Sequence, residues 1–256
     1  MLLVVKRLLF AGLFLLGGLA SARDIHVLVL GDQLAANCNQ QMHGSVPGVF
    51  LLGADGRERL AADPVEWSDC QGGSIWLPLA ARLKQRPGVD KVVLIPVAVT
   101  NAKARDWLAG PAASRLNAAL AVIRARGIAI DYALWQQGMA DEANPGPRYL
   151  GEMRSTVKSL TLRIKIDKWL IAQAGSCFGK RLDHVHDAQR QFAQQVVLNR
   201  FPGPNDANLG PREQMPDCSL TGAGQETMAQ RWFDAIQRSD ALSERYRKES
   251  LIYLFK

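Results

Sequence analysis

The chain has 256 residues, 48% of them apolar, with 31 lysines and arginines against 24 acidic residues and a formal charge of +7. That apolar share excludes a disordered polyelectrolyte and suits a single α/β domain with a sizeable core. The positive charges are dispersed, apart from short clusters such as Arg163-Ile-Lys165-Ile-Asp-Lys168, so the concentrated basic face of a nucleic-acid binder is not expected.

The amino terminus reads as a secretory signal over residues 1–22. Lys6 and Arg7 form the positive region, Leu8 to Leu19 the apolar core, and Ala20-Ser21-Ala22 a small-residue cleavage site. The apolar run is short of the roughly 20 residues a permanent span needs. An uncleaved anchor is the alternative. No second stretch of spanning length follows, so residues 23–256 are expected to form one secreted or periplasmic domain without a transmembrane span.

Apolar runs then recur at Ile25–Leu30, Val92–Val99, Ile128–Trp135 and Trp169–Ala174, with a weaker one at Val196–Asn199. Continuously apolar strands are typical of a parallel sheet covered on both faces. Between them lie helical patterns over Ala112–Arg126, Tyr149–Ile164 and Gly224 towards Arg245. In the first of these, Leu116, Leu120 and Ile123 share a face and Gly127 provides the stop. Strands alternating with helices predict a doubly wound α/β layer structure, with sites beyond the carboxyl ends of the strands. Residues 37–75 and 201–223, rich in Gly, Pro, Asn and Asp, read as long loops.

Four cysteines remain beyond the signal: Cys38, Cys70, Cys177 and Cys218. An even count in an exported chain favours two disulfides, for which three pairings exist. There is no CxxC and no zinc-like spacing, and no cofactor is expected.

The segments after the strands carry a resemblance. Leu28-Val-Leu-Gly-Asp-Gln-Leu-Ala-Ala-Asn37 resembles the first block of the SGNH (GDSL-type) hydrolases, and Gly72-Gly-Ser-Ile-Trp76 the glycine-rich approach to their next helix. Val93-Leu-Ile-Pro-Val-Ala-Val99 with Trp107 is similar to the second block. Leu134-Trp-Gln-Gln-Gly-Met-Ala-Asp141 resembles the third, usually Trp-His-Gln-Gly-Glu-Ser-Asp, and is the most specific match. Ile171-Ala-Gln-Ala-Gly-Ser-Cys177, Ala188-Gln-Arg190 and Gly203-Pro-Asn-Asp206 follow in the family's order. Asp217-Cys-Ser-Leu-Thr-Gly-Ala-Gly224 is similar to the last block. The resemblance is nearest to the sialate O-acetylesterase-like group, carbohydrate esterase family six. It implies a three-layer α/β/α fold around a parallel five-stranded sheet.

The departures bear on chemistry. The family's triad is a serine nucleophile, a histidine base and an orienting aspartate. On the family's pattern Gln33 replaces the serine, Ser219 the histidine and Pro216 the aspartate, with Asp217 one residue displaced. Thr100-Asn101 replaces the glycine turn of the oxyanion hole, Gln136 the third-block histidine and Met139 its glutamate. Asp32, Gln33, Asn101, Gln137, Asp141 and Asp217 are the candidate cleft-lining residues. A single oxyanion donor is worth roughly 3–4 kcal/mol and does not replace nucleophile and base.

A relocated triad would draw on Ser45, Ser74 or Ser219 with His43, His184 or His186. Asp183-His-Val-His-Asp187 has histidines at i, i+2, a pattern that ligates zinc from a strand or loop. The resemblance places it at a helix start, where i and i+2 point apart, so no metal is expected. The resemblance also implies the pair Cys177–Cys218, and Cys38 and Cys70, which bracket the first long loop, are the natural second pair. Trp67 and Trp107, in loops near strand ends, are candidates for carbohydrate stacking, although packing anchors are the blander reading.

The sequence therefore implies an exported pseudo-esterase that binds carbohydrate, an acetylated glycan or an envelope protein partner. The alternative is an active carbohydrate O-acetylesterase with a relocated nucleophile. A third reading is a scaffold that docks through the apolar segment Leu251-Ile-Tyr-Leu-Phe255 as an exposed strand.

Overall fold

The computed structural model describes residues 22–177 and 180–254, without the side chains of residues 176–181 and 250–254. In chain order the elements are β1 (Arg23–Gly31), β2 (Val49–Leu52), β3 (Glu58–Leu60), α1 (Trp76–Lys84), β4 (Val89–Ala98), α2 (Pro111–Ala125), β5 (Ile130–Gln136), α3 (Gly146–Thr161) and β6 (Ile166–Gln173). A short hairpin of β7 (Ser176–Cys177) and β8 (Lys180–Arg181) follows, then α4 (Asp183–Ala193), β9 (Arg200–Asn205) and α5 (Gly222–Leu254).

The main sheet has the order β3-β2-β4-β1-β5-β6-β9. Every pairing in it is parallel except β2 with β3. Strand β1 shows why its run is unbroken in the sequence. Ile25, Val27 and Val29 enter one core layer, while Leu28 and Leu30 enter the other. The first layer is closed by Trp76 and Leu79 of α1 and by Met228, Trp232 and Ile236 of α5. The second is closed by Leu116 and Leu120 of α2, Tyr149 and Met153 of α3, and Val185 and Phe192 of α4. Each such fully buried side chain stabilises by roughly 1.5–3 kcal/mol relative to exposure. The result is the three-layer α/β fold that the alternation of strands and helices predicts.

The sheet is wider than the expected five strands. Strands β2 and β3 lie within the stretch read as a loop. They escape a search for apolar runs because they are short and because Glu58 and Arg59 occupy much of β3. The expected strand at Val196–Asn199 is a 3-10 turn over Val196–Leu198, and the real strand starts at Arg200. Pro202 and Pro204 disguise it. Proline is tolerated there because β9 is the edge of the sheet. The carboxyl-terminal apolar segment is not a strand, since α5 continues through Leu254.

The expected signal lies outside the described residues apart from Ala22. No described helix is long and apolar enough to cross a membrane.

Candidate functional site

Strand β1 ends at Gly31, and the chain turns at once. A Cβ on Gly31 would stand 2.3 Å from both the Ala35 Cβ and the Gln136 carbonyl oxygen, so only glycine allows so close an approach of β1 to β5. The Asp32 amide donates to that same carbonyl (3.1 Å). Gln33 is thereby delivered to the carboxyl end of the central strand, and its side-chain Nε2 donates to the Asp217 carbonyl (2.9 Å). The end of β1 and the last resemblance block thus meet, as the family order implies.

The Asp217 carboxylate accepts from the Ser219 amide (3.0 Å) and from its hydroxyl (2.6 Å). These bonds hold the Asp217 pKa below the usual carboxylate range. Ser219 is therefore turned onto a neighbouring carboxylate and has no imidazole partner. Pro216 lies in the same loop, which is tightened by the Met215 and Cys218 amides donating to Ser219 and Met215 carbonyls.

Thr100 and Asn101 follow β4. The Thr100 amide and hydroxyl both donate to Asp69 Oδ2 (2.9 and 3.0 Å), and Arg115 pairs with Asp69 at 2.7 Å. Burial opposes ionisation of Asp69, but these donors outweigh it and hold its pKa low. Asn101 has φ = 59°, a left-handed conformation in which asparagine is enriched and which glycine enters freely. Asparagine is thus suited to the turn that follows β4.

Gln33, Thr100, Asn101 and Asp217 line an open cavity of about 490 Å³, with the Cys38–Cys70 disulfide in its wall. Both half-cystines were expected to pair in this way. Cys218 is also disulfide-bonded; the side chain of its expected partner, Cys177, lies outside the described residues.

Three expected cleft residues are instead buried. Asp32, Gln137 and Asp141 are each no more than 2% exposed. Asp32 Oδ2 accepts the Gly138 and Met139 amides (3.0 and 2.9 Å). Burial lifts the Asp32 pKa to about 6 against the pull of these amides. Gly138 makes the turn with φ = 150°, and a Cβ there would lie 2.7 Å from that of Ala174. Asp141 Oδ2 accepts from the Ala104 amide (2.8 Å) and from Gln137 Nε2 (2.6 Å). Buried polar groups persist where they are paired, and these carboxylates secure the loops after β1, β4 and β5.

Gln136 is buried as well. Its Oε1 accepts from Trp232 Nε1 (3.1 Å) and its Nε2 donates to Asp206 Oδ2 (3.3 Å). Asp206, after β9, has a pKa of about 7, raised first by burial and then by the charge of Asp32. Gln189 of α4 completes the network. Its Oε1 accepts the Ala174 amide (2.6 Å), while Nε2 donates to the Gln137 carbonyl (2.6 Å) and the Tyr149 hydroxyl (2.8 Å). Gln189 stands in the Ala188-Gln-Arg190 match, but its role depends on contacts from three distant segments that no local spacing reveals.

The expected relocated pairs do not form. Among the described residues no serine hydroxyl is hydrogen-bonded to a histidine ring. Ser74 and His43 share a partner, since the amide of each donates to Asp63 Oδ2 (3.1 and 2.9 Å). The Ser74 side chain is fully buried and cannot meet a substrate. His184 and His186 lie in the first turn of α4, with His186 Nε2 3.4 Å from Asn205 Nδ2. Trp107 is not a sugar platform, since it is 2% exposed and packs on Trp135 with ring centroids 6.1 Å apart. Trp67 is half-buried and anchored by Nε1 donating to the Leu52 carbonyl (2.8 Å).

No protein-family model and no curated protein sequence matches the chain. Solved structures do. A protein of Arabidopsis thaliana matches with a TM-score of 0.65 at 18% identity, covering 82% of this chain and 96% of its own. A GDSL-like lipase from Parabacteroides merdae matches with a TM-score of 0.56 at 13% identity, covering 84% and 96%. An acetyl xylan esterase from Geobacillus stearothermophilus matches with a TM-score of 0.53 at 13% identity, covering 84% and 93%. The chain has the fold of the GDSL-type esterases, with a carboxamide at the tip of its first strand.

Proposed function

We propose that the protein is an exported, catalytically silent esterase-fold protein that binds carbohydrate, with an acetylated glycan as the ligand class, through the cavity at the carboxyl end of the sheet. The observation that carries this reading is the Gln33–Asp217 contact. The residue at the nucleophile position is an amide tied to the loop where a base belongs, and Ser219 in that loop is bonded to Asp217. A carboxamide neither attacks an ester nor takes a proton at neutral pH. Catalysis left without a triad lies orders of magnitude below the intact constellation.

The cavity is lined by amides, a hydroxyl and a carboxylate from Gln33, Asn101, Thr100 and Asp217, groups that suit the many hydroxyls of a sugar. Export accords with the signal-like residues 1–22 and with the disulfides, which persist in oxidising compartments. An envelope partner remains part of the proposal, reached through the same ligand. The sialate-type esterases are the nearest resemblance, and acetylated sugars are the first ligands to try.

Two measurements on purified protein test the reading. Turnover of aryl acetates and acetylated sugars is expected to equal that of a Gln33→Ala control. Calorimetric titration with acetylated oligosaccharides is expected to give binding that Asp217→Ala and Asn101→Ala weaken. Turnover above the control would establish an active esterase instead.

A further inference from the structure

The opposite end of the sheet carries a second feature. Strands β6 and β9 begin there, after the last turn of α3 and the 3-10 turn Val196–Leu198. Arg154, Lys158, Leu162, Trp169, Leu198 and Arg200 line one cavity of about 410 Å³ at this end. Of these, Leu162 is 78% exposed and Leu198 57%, and Val197, next to Leu198 in the chain, is 70% exposed. Clustered aliphatics at such exposure mark an interaction surface on a folded protein.

The charge around them is uncompensated. Among the described residues, no carboxylate pairs with Arg154, Lys158, Arg163, Lys165 or Arg200. Asp167 is the acid lining the cavity, and it is paired with Lys168 at 3.1 Å. Arg200 leans over the Phe192 ring at 4.2 Å and donates to Gln195 Oε1. Burial, and then the charge of Arg154, lower the Arg200 pKa from its ordinary value. Exposed aliphatics ringed by unpaired cations fit a surface with an apolar interior and anionic headgroups. A sugar would use the cations but leave the aliphatics in water.

We infer that the basal patch formed by Leu162, Val197 and Leu198, with Arg154, Lys158 and Arg200 beside them, docks on an anionic phospholipid surface. The aliphatic side chains enter the interfacial layer and the cations meet lipid phosphates. Because the parallel strands start at this end, docking turns the Gln33 cavity away from the lipid by the length of a strand, roughly 25–30 Å for the nine residues of β1.

Co-sedimentation with vesicles tests the inference independently of any glycan. A chain beginning at Arg23 contains every described strand and helix and avoids the apolar leader. It is expected to sediment with phosphatidylcholine vesicles containing about one third phosphatidylglycerol and at least tenfold less with phosphatidylcholine alone. Binding is expected to fall at about 1 M salt, where the Debye length shrinks to about 3 Å. The double variant Arg154→Glu/Lys158→Glu is expected to lose at least tenfold. Leu162→Ser/Leu198→Ser is expected to bind more weakly while keeping the salt dependence. All four side chains are exposed, so unchanged thermal unfolding serves as the folding control. Equal binding to both vesicle types, equal binding by the variants, or no binding overturns the inference. Saturable binding of free laurate without vesicle binding also overturns it and assigns the cavity to a small amphiphile.

Discussion

Asp32 and Asp206 are two buried carboxyl groups joined through a single residue: Gln136 accepts the Asp32 amide on its carbonyl and donates its side-chain amide to Asp206. Each carboxyl binds its proton more tightly than in an unfolded chain, with pKa values of about 6 and about 7. Between pH 4 and pH 7 the native state therefore holds more protons than the unfolded state, and stability falls as pH rises. The stabilising contribution is complete below the ordinary carboxylate pKa and is gone once pH has passed the folded values. Unfolding midpoints in urea are expected to be higher at pH 5 than at pH 8. Asp206→Asn is expected to shrink that difference, at about 1.4 kcal/mol per unit of pKa displacement removed.

Restoring the nucleophile alone is expected to achieve nothing. Gln33→Ser would place a hydroxyl at the end of β1 with no imidazole to take its proton, so aryl-acetate hydrolysis should match the wild-type chain. Combining it with Ser219→His supplies the base across the contact that Gln33 now makes with this loop. The pair is expected to exceed either single variant at least tenfold, since nucleophile and base act as a unit. Equal rates in all three would remove Gln33 and Ser219 as the positions matching the resembled triad.

The Cys38–Cys70 bridge spans 32 residues of sequence. Closing a loop of that length stabilises by roughly 3–4 kcal/mol in the chain-entropy model. Cys38→Ser/Cys70→Ser is expected to lose about that much in urea unfolding. It is also expected to weaken any ligand of the Gln33 cavity, because both half-cystines stand in its wall.

Gln189 is fully buried and fully engaged. Gln189→Ala would orphan the Ala174 amide and remove donors from the Gln137 carbonyl and the Tyr149 hydroxyl. A buried unsatisfied group costs about 1–3 kcal/mol, and the cavity left behind adds to it. A loss of about 3–5 kcal/mol is expected in urea unfolding, with near-ultraviolet circular dichroism around Trp135 and Tyr149 altered.

Much of the fold was legible because burial on both faces leaves a mark that needs no tertiary knowledge. Strands β1, β4, β5 and β6 each carry a central apolar run for that reason. Strand β9 was missed because Pro202, Gly203 and Pro204 erase the apolar signal at a sheet edge that tolerates them. At the candidate site, Gln33, Asn101 and Asp217 line one cavity. Asp32, Gln137 and Asp141 are buried instead, because a polar side chain in a strand-end loop reads as solvent-facing until its hydrogen-bond partners are known. Partners such as the Gly138, Met139 and Ala104 amides are backbone groups and carry no side-chain signature.

The bridge in the cavity wall also makes the outline of the opening depend on where the molecule is. With Cys38 and Cys70 reduced, two separate thiols stand at that spot, and the segment between them is still held by the pairing of β2 with β4. If the proposed ligand binds in this cavity, its capture is expected to follow oxidation of the two thiols.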